Sequence, residues 1–187
     1  MIDRSYAMVT RLVAQKGLDL VRTAAGSILE TGAFFVILGS GAEEYEQFLQ
    51  GWRDFAPHRV GIYKGFNERL AHQIEAGADM FLMPSLYEPC GLNQMYSMRY
   101  GTVPVVRATG GLDDTVEEFN RLRATGTGFK FARYEASSML ESIHEALYCY
   151  ADPELWSVVR MNGMRADHSW SAAAGRYLDL YETVARS

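Results

Sequence analysis

Six short, continuously apolar runs recur along the sequence: YAMVT (6–10), AFFVIL (33–38), RVGIY (59–63), MFLMP (80–84), VPVVR (103–107) and GFKF (128–131). Apart from GFKF, none alternates polar and apolar residues as a half-solvated strand would, so together the runs read as a parallel sheet covered on both faces. Longer segments of helical period separate them. In GLDLVRTAAGSILETG, residues Leu18, Val21, Ala25, Ile28 and Leu29 fall on one face. This alternation predicts a doubly wound, Rossmann-like α/β fold with a parallel sheet of about six strands and helices on both faces. From about 135 onward the pattern is helical only, with Pro153 suited to the first turn of its helix. No linker or repeat interrupts the chain, so residues 1–187 are expected to form a single domain.

Composition narrows the partners. A formal net charge of −5 opposes a nucleic-acid or membrane-surface role, which needs a basic face. No apolar run is long enough to span a bilayer, and no secretory signal opens the chain. Cys90 and Cys149 have no metal-type spacing and read as reduced thiols of a cytoplasmic protein.

In a doubly wound sheet, ligands bind where strands exit into helices. Four exits carry chemistry: TRLVAQKG (10–17) with Arg11 and Lys16, GSGAEEY (39–45), SLYEPCGLNQ (85–94) and RATGGLDDTV (107–116). Glycines before a helix let phosphates approach backbone N–H groups, and Arg or Lys completes such a site. Singly, each is an ordinary turn or a solvated charge. Their convergence at one end of one sheet points to an anionic ligand.

The segments RLVAQKGLDL (11–20) and ADMFLMPSLYEPCGLNQMYSMRYGTVPVVRATGGLDDTV (78–116) resemble the C-terminal half of bacterial glycogen synthases and plant starch synthases. The likeness runs from about Tyr6 to Tyr181. Those are retaining glucosyltransferases of the GT-B architecture, transferring glucose from ADP-glucose to the non-reducing end of an α-1,4-glucan. The resemblance implies that Arg11 and Lys16 neutralise the donor diphosphate, with Glu88 against the donor glucose. It also implies that Cys90, Gly91 and Leu92 form the turn packed on that sugar. Thr109, Gly110, Gly111 and Leu112 would offer amides to the phosphates, and Phe66 would stack on adenine.

Two departures stand out: Asn93 replaces a frequent threonine, and Tyr96 stands where many retaining transferases place a ribose-binding glutamate. Whole enzymes of this kind also carry a preceding acceptor domain. The resemblance therefore implies that this chain binds ADP or ADP-glucose, needs no cofactor or metal, and is inactive alone because the glucan acceptor belongs to the missing half. It implies a cytoplasmic location, or a plastid one in a plant. The surface facing that half should carry uncovered apolar side chains.

Three alternatives stay open: a non-catalytic nucleotide-binding module, another nucleotide-sugar glycosyltransferase, and a dinucleotide enzyme. Against the last, no GxGxxG follows the first strand. Replacing Arg11 or Lys16 should weaken ADP binding and leave thermal stability almost untouched. The four histidines have no acidic partner at triad or ligand spacing, and Asp113 and Asp114 read as favourable charges in a helix's first turn. Tyr148, Tyr150, Trp156, Tyr177 and Tyr181 read as packing between layers.

Overall fold

The computed structural model describes residues 4–186. The six apolar runs form β1 (Ser5–Val9), β2 (Phe34–Gly39), β3 (Val60–Lys64), β4 (Met80–Met83), β5 (Val103–Arg107) and β6 (Phe129–Phe131). All neighbours pair in parallel, in the order β3-β2-β1-β4-β5-β6. Expected and observed strands agree to within about a residue at most ends.

The helices are α1 (Leu18–Glu30), α2 (Glu43–Phe55), α3 (Glu68–Gly77), α4 (Asn93–Tyr100), α5 (Gly111–Thr115), α6 (Ala136–Tyr150), α7 (Pro153–Arg165) and α8 (Trp170–Ala185). Helix α1 buries Leu18, Val21 and Ile28 of its expected face. Each such side chain contributes on the order of 1.5–3 kcal/mol when withdrawn from water. Together with Leu49 of α2 and Ile143 of α6 they pack on Tyr6, Met8, Phe35 and Ile37 of the sheet. A smaller cluster joins Met98 of α4 to Val106, Leu112 and Val116. Asp152 caps α7 by accepting from the amides of Glu154 and Leu155, with Pro153 in the first turn as expected.

Helix α8 departs from the pattern, because none of its residues is buried. Tyr177 and Tyr181 of α8, and Tyr148 of α6, are exposed and do not pack between layers. Only Trp156 of that set is buried, with the half-buried Tyr150 ring edge-on at 5.0 Å. Helix α8 has no layer to lie against among the described residues, whereas Tyr148 stands on the outer face of α6, whose other face is core. Trp170, Leu178, Leu180 and Val184 complete an exposed apolar face on α8. No helix among the described residues is long and apolar enough to cross a membrane.

Candidate functional site

The strand order reverses between β1 and β4. The loops leaving these two strands part from each other, as at the ligand crevice of doubly wound sheets. A cavity of about 360 Å³ opens there, lined by Arg11, Lys16, Ser85, Glu88, Gly91, Leu92 and Asn93, among others.

Lys16 ends a single 3₁₀ turn, Ala14–Lys16, and its Nζ donates to Glu88 Oε2. The same oxygen accepts from Ser85 Oγ at 3.2 Å. Glu88 is 7% exposed. This loop carboxylate is held, and backbone contacts hold its loop. The Leu86 amide donates to the Gln15 carbonyl at 2.8 Å, and Gln15 Nε2 donates to the Tyr87 carbonyl at 3.0 Å. Arg107 donates from Nε to the Ser85 carbonyl at 2.8 Å and from a terminal nitrogen to that of Leu86. Asn93, the first residue of α4, donates to the Val9 carbonyl at 3.0 Å and ties the helix to the end of β1. Arg11 is exposed and makes no ion pair among the described residues, so its charge is available to a ligand.

The structure brings Arg11, Lys16, Glu88, Gly91 and Leu92 to one cavity, while Cys90 is exposed beside it and does not line it. It also shows what the glycine turns pack against. A Cβ on Gly110 would lie 2.3 Å from the Glu88 carbonyl oxygen, and one on Gly111 2.0 Å from that of Cys90. These glycines let the loop after β5 press against the Glu88 loop. The Gly111 amide donates to the Glu88 carbonyl at 2.9 Å, and the Leu112 amide to Thr109 at 3.1 Å. Both amides are therefore spent inside the protein, and the Leu112 side chain is core. None of Thr109, Gly110, Gly111 and Leu112 lines the cavity; they buttress the Glu88 loop.

Gly39 and Gly41 behave alike: added Cβ atoms would meet the carbonyls of Thr10 and Leu12 at 2.0 and 2.3 Å. The Gly41 amide donates to Glu46 Oε1, whose other oxygen pairs with Lys64 at 2.7 Å. A carboxylate of the protein's own thus takes the place an anion would need.

A second cavity of about 350 Å³ adjoins the first and shares Val9, Thr10, Arg11 and Asn93 with it. Its far wall holds Gly39, Ser40, Gly65 and Phe66, whose ring is 86% exposed. Its near wall holds His72 and Glu75 of α3 and Tyr96 of α4. His72 does have an acidic neighbour: its Nδ1 lies 3.4 Å from Glu75 Oε2. The sequence reading also missed Ser85, Gln15, Arg107 and Gln94. Gln94 is fully buried, with Nε2 within 3.2 Å of the Cys90 and Gly91 carbonyls. The i, i+3 spacing of His72 and Glu75 was the one signal in the sequence that pointed to their pairing.

Fold and crevice together define a Rossmann-like α/β protein with cationic side chains at the topological switch point. The family model for glycosyl transferases group 1 matches residues 3–157, and the chain belongs to that family. It is similar to the glycogen synthase of Koribacter versatilis, 48% identical over 175 residues, covering 94% of this chain and 36% of that protein. The glycogen synthase of Anoxybacillus flavithermus is 51% identical over 178 residues, covering 95% and 37%. The chain therefore spans little more than a third of the length of these relatives. The catalytic domain of starch synthase IV from Arabidopsis thaliana, bound to ADP and acarbose, matches with a TM-score of 0.87 at 34% identity. That match covers 97% of this chain and 38% of the other, and it gives the fold as Rossmann-like within the GT-B architecture, as expected. Sucrose-phosphate synthase from Thermosynechococcus elongatus shares the fold, with a TM-score of 0.74 at 23% identity, covering 100% and 47%.

Proposed function

We propose that this chain supplies the donor-nucleotide site of a retaining glucosyltransferase of the glycogen or starch synthase type. The whole protein would transfer glucose from ADP-glucose to the non-reducing end of an α-1,4-glucan. The observation that carries this reading is the Arg11–Lys16–Glu88 arrangement at the switch-point crevice, where a cation pair stands beside a held carboxylate. The relatives' names and the ADP-bound neighbour support it.

Cleavage of the bond between glucose and diphosphate leaves the electron pair, and its negative charge, on the phosphate. Arg11 meets that charge with an unengaged guanidinium. Lys16 bridges the phosphate and Glu88. Fixed cations in a partly dry crevice stabilise developing charge more than water would. Glu88 orients the sugar, and its lysine partner holds the carboxylate where positive charge grows at the anomeric carbon. Phe66 offers an exposed ring to the base. The acceptor glucan would be held by parts of the whole protein beyond this chain, which would act in the cytoplasm without a cofactor or metal.

Calorimetric titration of the chain with ADP tests the donor site. Binding that disappears in an Arg11→Ala/Lys16→Ala double variant supports it, and unchanged affinity in a folded double variant rejects it. Incubation of the isolated chain with labelled ADP-glucose and a maltooligosaccharide should give no elongation. Transfer requires donor and acceptor in near-attack geometry, which can supply on the order of 7–11 kcal/mol.

A further inference from the structure

Glu75 is a carboxylate that the donor reading leaves without a role. It is 2% exposed and lines the second cavity. Its Oε2 accepts no hydrogen bond among the described residues. The nearest polar neighbour recorded for that oxygen is His72 Nδ1 at 3.4 Å, and the same nitrogen lies 3.4 Å from the Tyr100 hydroxyl. Tyr96 and Tyr100 of α4 set their rings against His72, with centroids at 5.8 and 6.1 Å. Oε2 is itself closed to solvent, so the carboxylate meets the cavity through its other oxygen, which accepts no hydrogen bond among the described residues either. Buried polar groups are ordinarily satisfied, so a cavity-lining carboxylate without a donor marks a place for one from outside.

The two cavities meet at Thr10, Arg11 and Asn93. A ligand anchored by its phosphates at Arg11 must send its next group past this shared wall into the second cavity. In a nucleoside diphosphate that group is the ribose. Asn93 and Tyr96 lie about one turn apart on α4, so the His72–Glu75 wall stands directly beyond the entrance. The base then reaches the far wall, where Gly65 and the exposed Phe66 ring lie. An ionised carboxylate only accepts, and a ribose diol presents two hydroxyl donors. A base edge would present acceptors as well.

We infer that Glu75 accepts a hydrogen bond from a ribose hydroxyl of the bound nucleotide and selects ribonucleotides over deoxy analogues. This rests on the donor-site reading above. Burial pushes the Glu75 carboxyl up to about 7, with His72 opposing the shift, so the group is ready to ionise when a donor arrives.

The test is calorimetric titration of the chain with ADP, 2′-deoxy-ADP and 3′-deoxy-ADP. A hydrogen bond to a charged group is worth about tenfold or more in affinity. Wild type should bind at least one deoxy analogue about tenfold more weakly than ADP. Glu75→Met should weaken ADP by about the same factor and leave that analogue unchanged, bringing the ratio to about one. Glu75→Gln, of equal shape, serves if the methionine variant does not fold, and should lower the ratio at least threefold. A folded variant that keeps the wild-type ratio, or a wild type that does not discriminate, overturns the ribose assignment while ADP binding stands. A wild type that binds none of the three nucleotides overturns the donor reading itself.

Discussion

Glu88 and Glu75 are both nearly buried, one in each of two adjoining cavities, yet their surroundings differ in kind. Glu88 has a lysine and a serine hydroxyl on one oxygen, and its loop is pinned by Gln15 and Arg107. Glu75 has a histidine neighbour and an oxygen with no hydrogen bond among the described residues. One carboxylate is provided with its counter-charge by the fold. The other is left poised between charged and neutral. At Glu75 burial dominates, opposed only by His72 of its own helix, whereas at Glu88 a second segment of chain brings Lys16.

The sharpest break of this comparison is at Glu88. On the proposed function, Glu88→Gln in the whole protein should cut turnover at least about a hundredfold, the scale seen when one transition-state contact is removed. ADP affinity of the isolated chain should barely change. Equal losses of turnover and ADP binding would make Glu88 a nucleotide or structural residue.

Lys16 and Arg11 come next, and here the structure revises the expectation of untouched stability. Either alanine substitution should weaken ADP binding by about 1.5–3 kcal/mol in calorimetry. Lys16→Ala should also lower thermal stability by about 1–3 kcal/mol, because it leaves the Glu88 carboxylate nearly buried without its cation. Arg11→Ala should not, since Arg11 is exposed and outside any ion pair among the described residues. Equal melting temperatures for the two variants would remove the distinction drawn between them.

Glu75 should show the opposite pH behaviour from a paired carboxylate. Its folded value of about 7 lies above the ordinary 4.5, so between these limits the folded chain holds a proton that the unfolded chain releases. Stability from this group is full below about 4.5 and is lost as pH rises through 7. His72 faces the carboxyl from its own helix, and the hydroxyl of Tyr100 faces His72 from α4. Glu75→Gln should therefore match wild type near pH 4 and be more stable by about 1–3 kcal/mol at pH 8. Denaturation at both pH values checks this, and a variant less stable at pH 8 contradicts it. Phe66→Ala should have the smallest effect, weakening ADP by about 0.5–1.5 kcal/mol if its ring stacks on the base.

Much of this molecule was legible from local pattern. Continuous apolar strands and the Leu18–Val21–Ile28 face depend on neighbours within a few residues, so the sequence determined the six strands, the helices between them and the parallel, two-faced sheet. The RxxxxK and EPCG segments likewise marked Arg11, Lys16 and Glu88 as candidates. The glycine pairs were open to two readings because a turn that opens to phosphate and one that packs against another loop use the same residue. Only the approach of the Glu88 and Cys90 carbonyls separates the two cases. The exposed aromatics of α8 were misread because helical period shows a face but not whether anything lies against it. What tertiary structure alone decided was partnership. Lys16 and Glu88 are 72 positions apart and meet because β4 lies beside β1 in the sheet, which the strand pattern did not specify. Glu75 is different again: it reads as one more polar residue of an amphipathic helix until α4 packs beside α3 and leaves its carboxylate nearly buried in a cavity wall. A group's charge and chemistry follow from what surrounds it in space, and in a parallel sheet those surroundings are assembled from segments far apart in the chain.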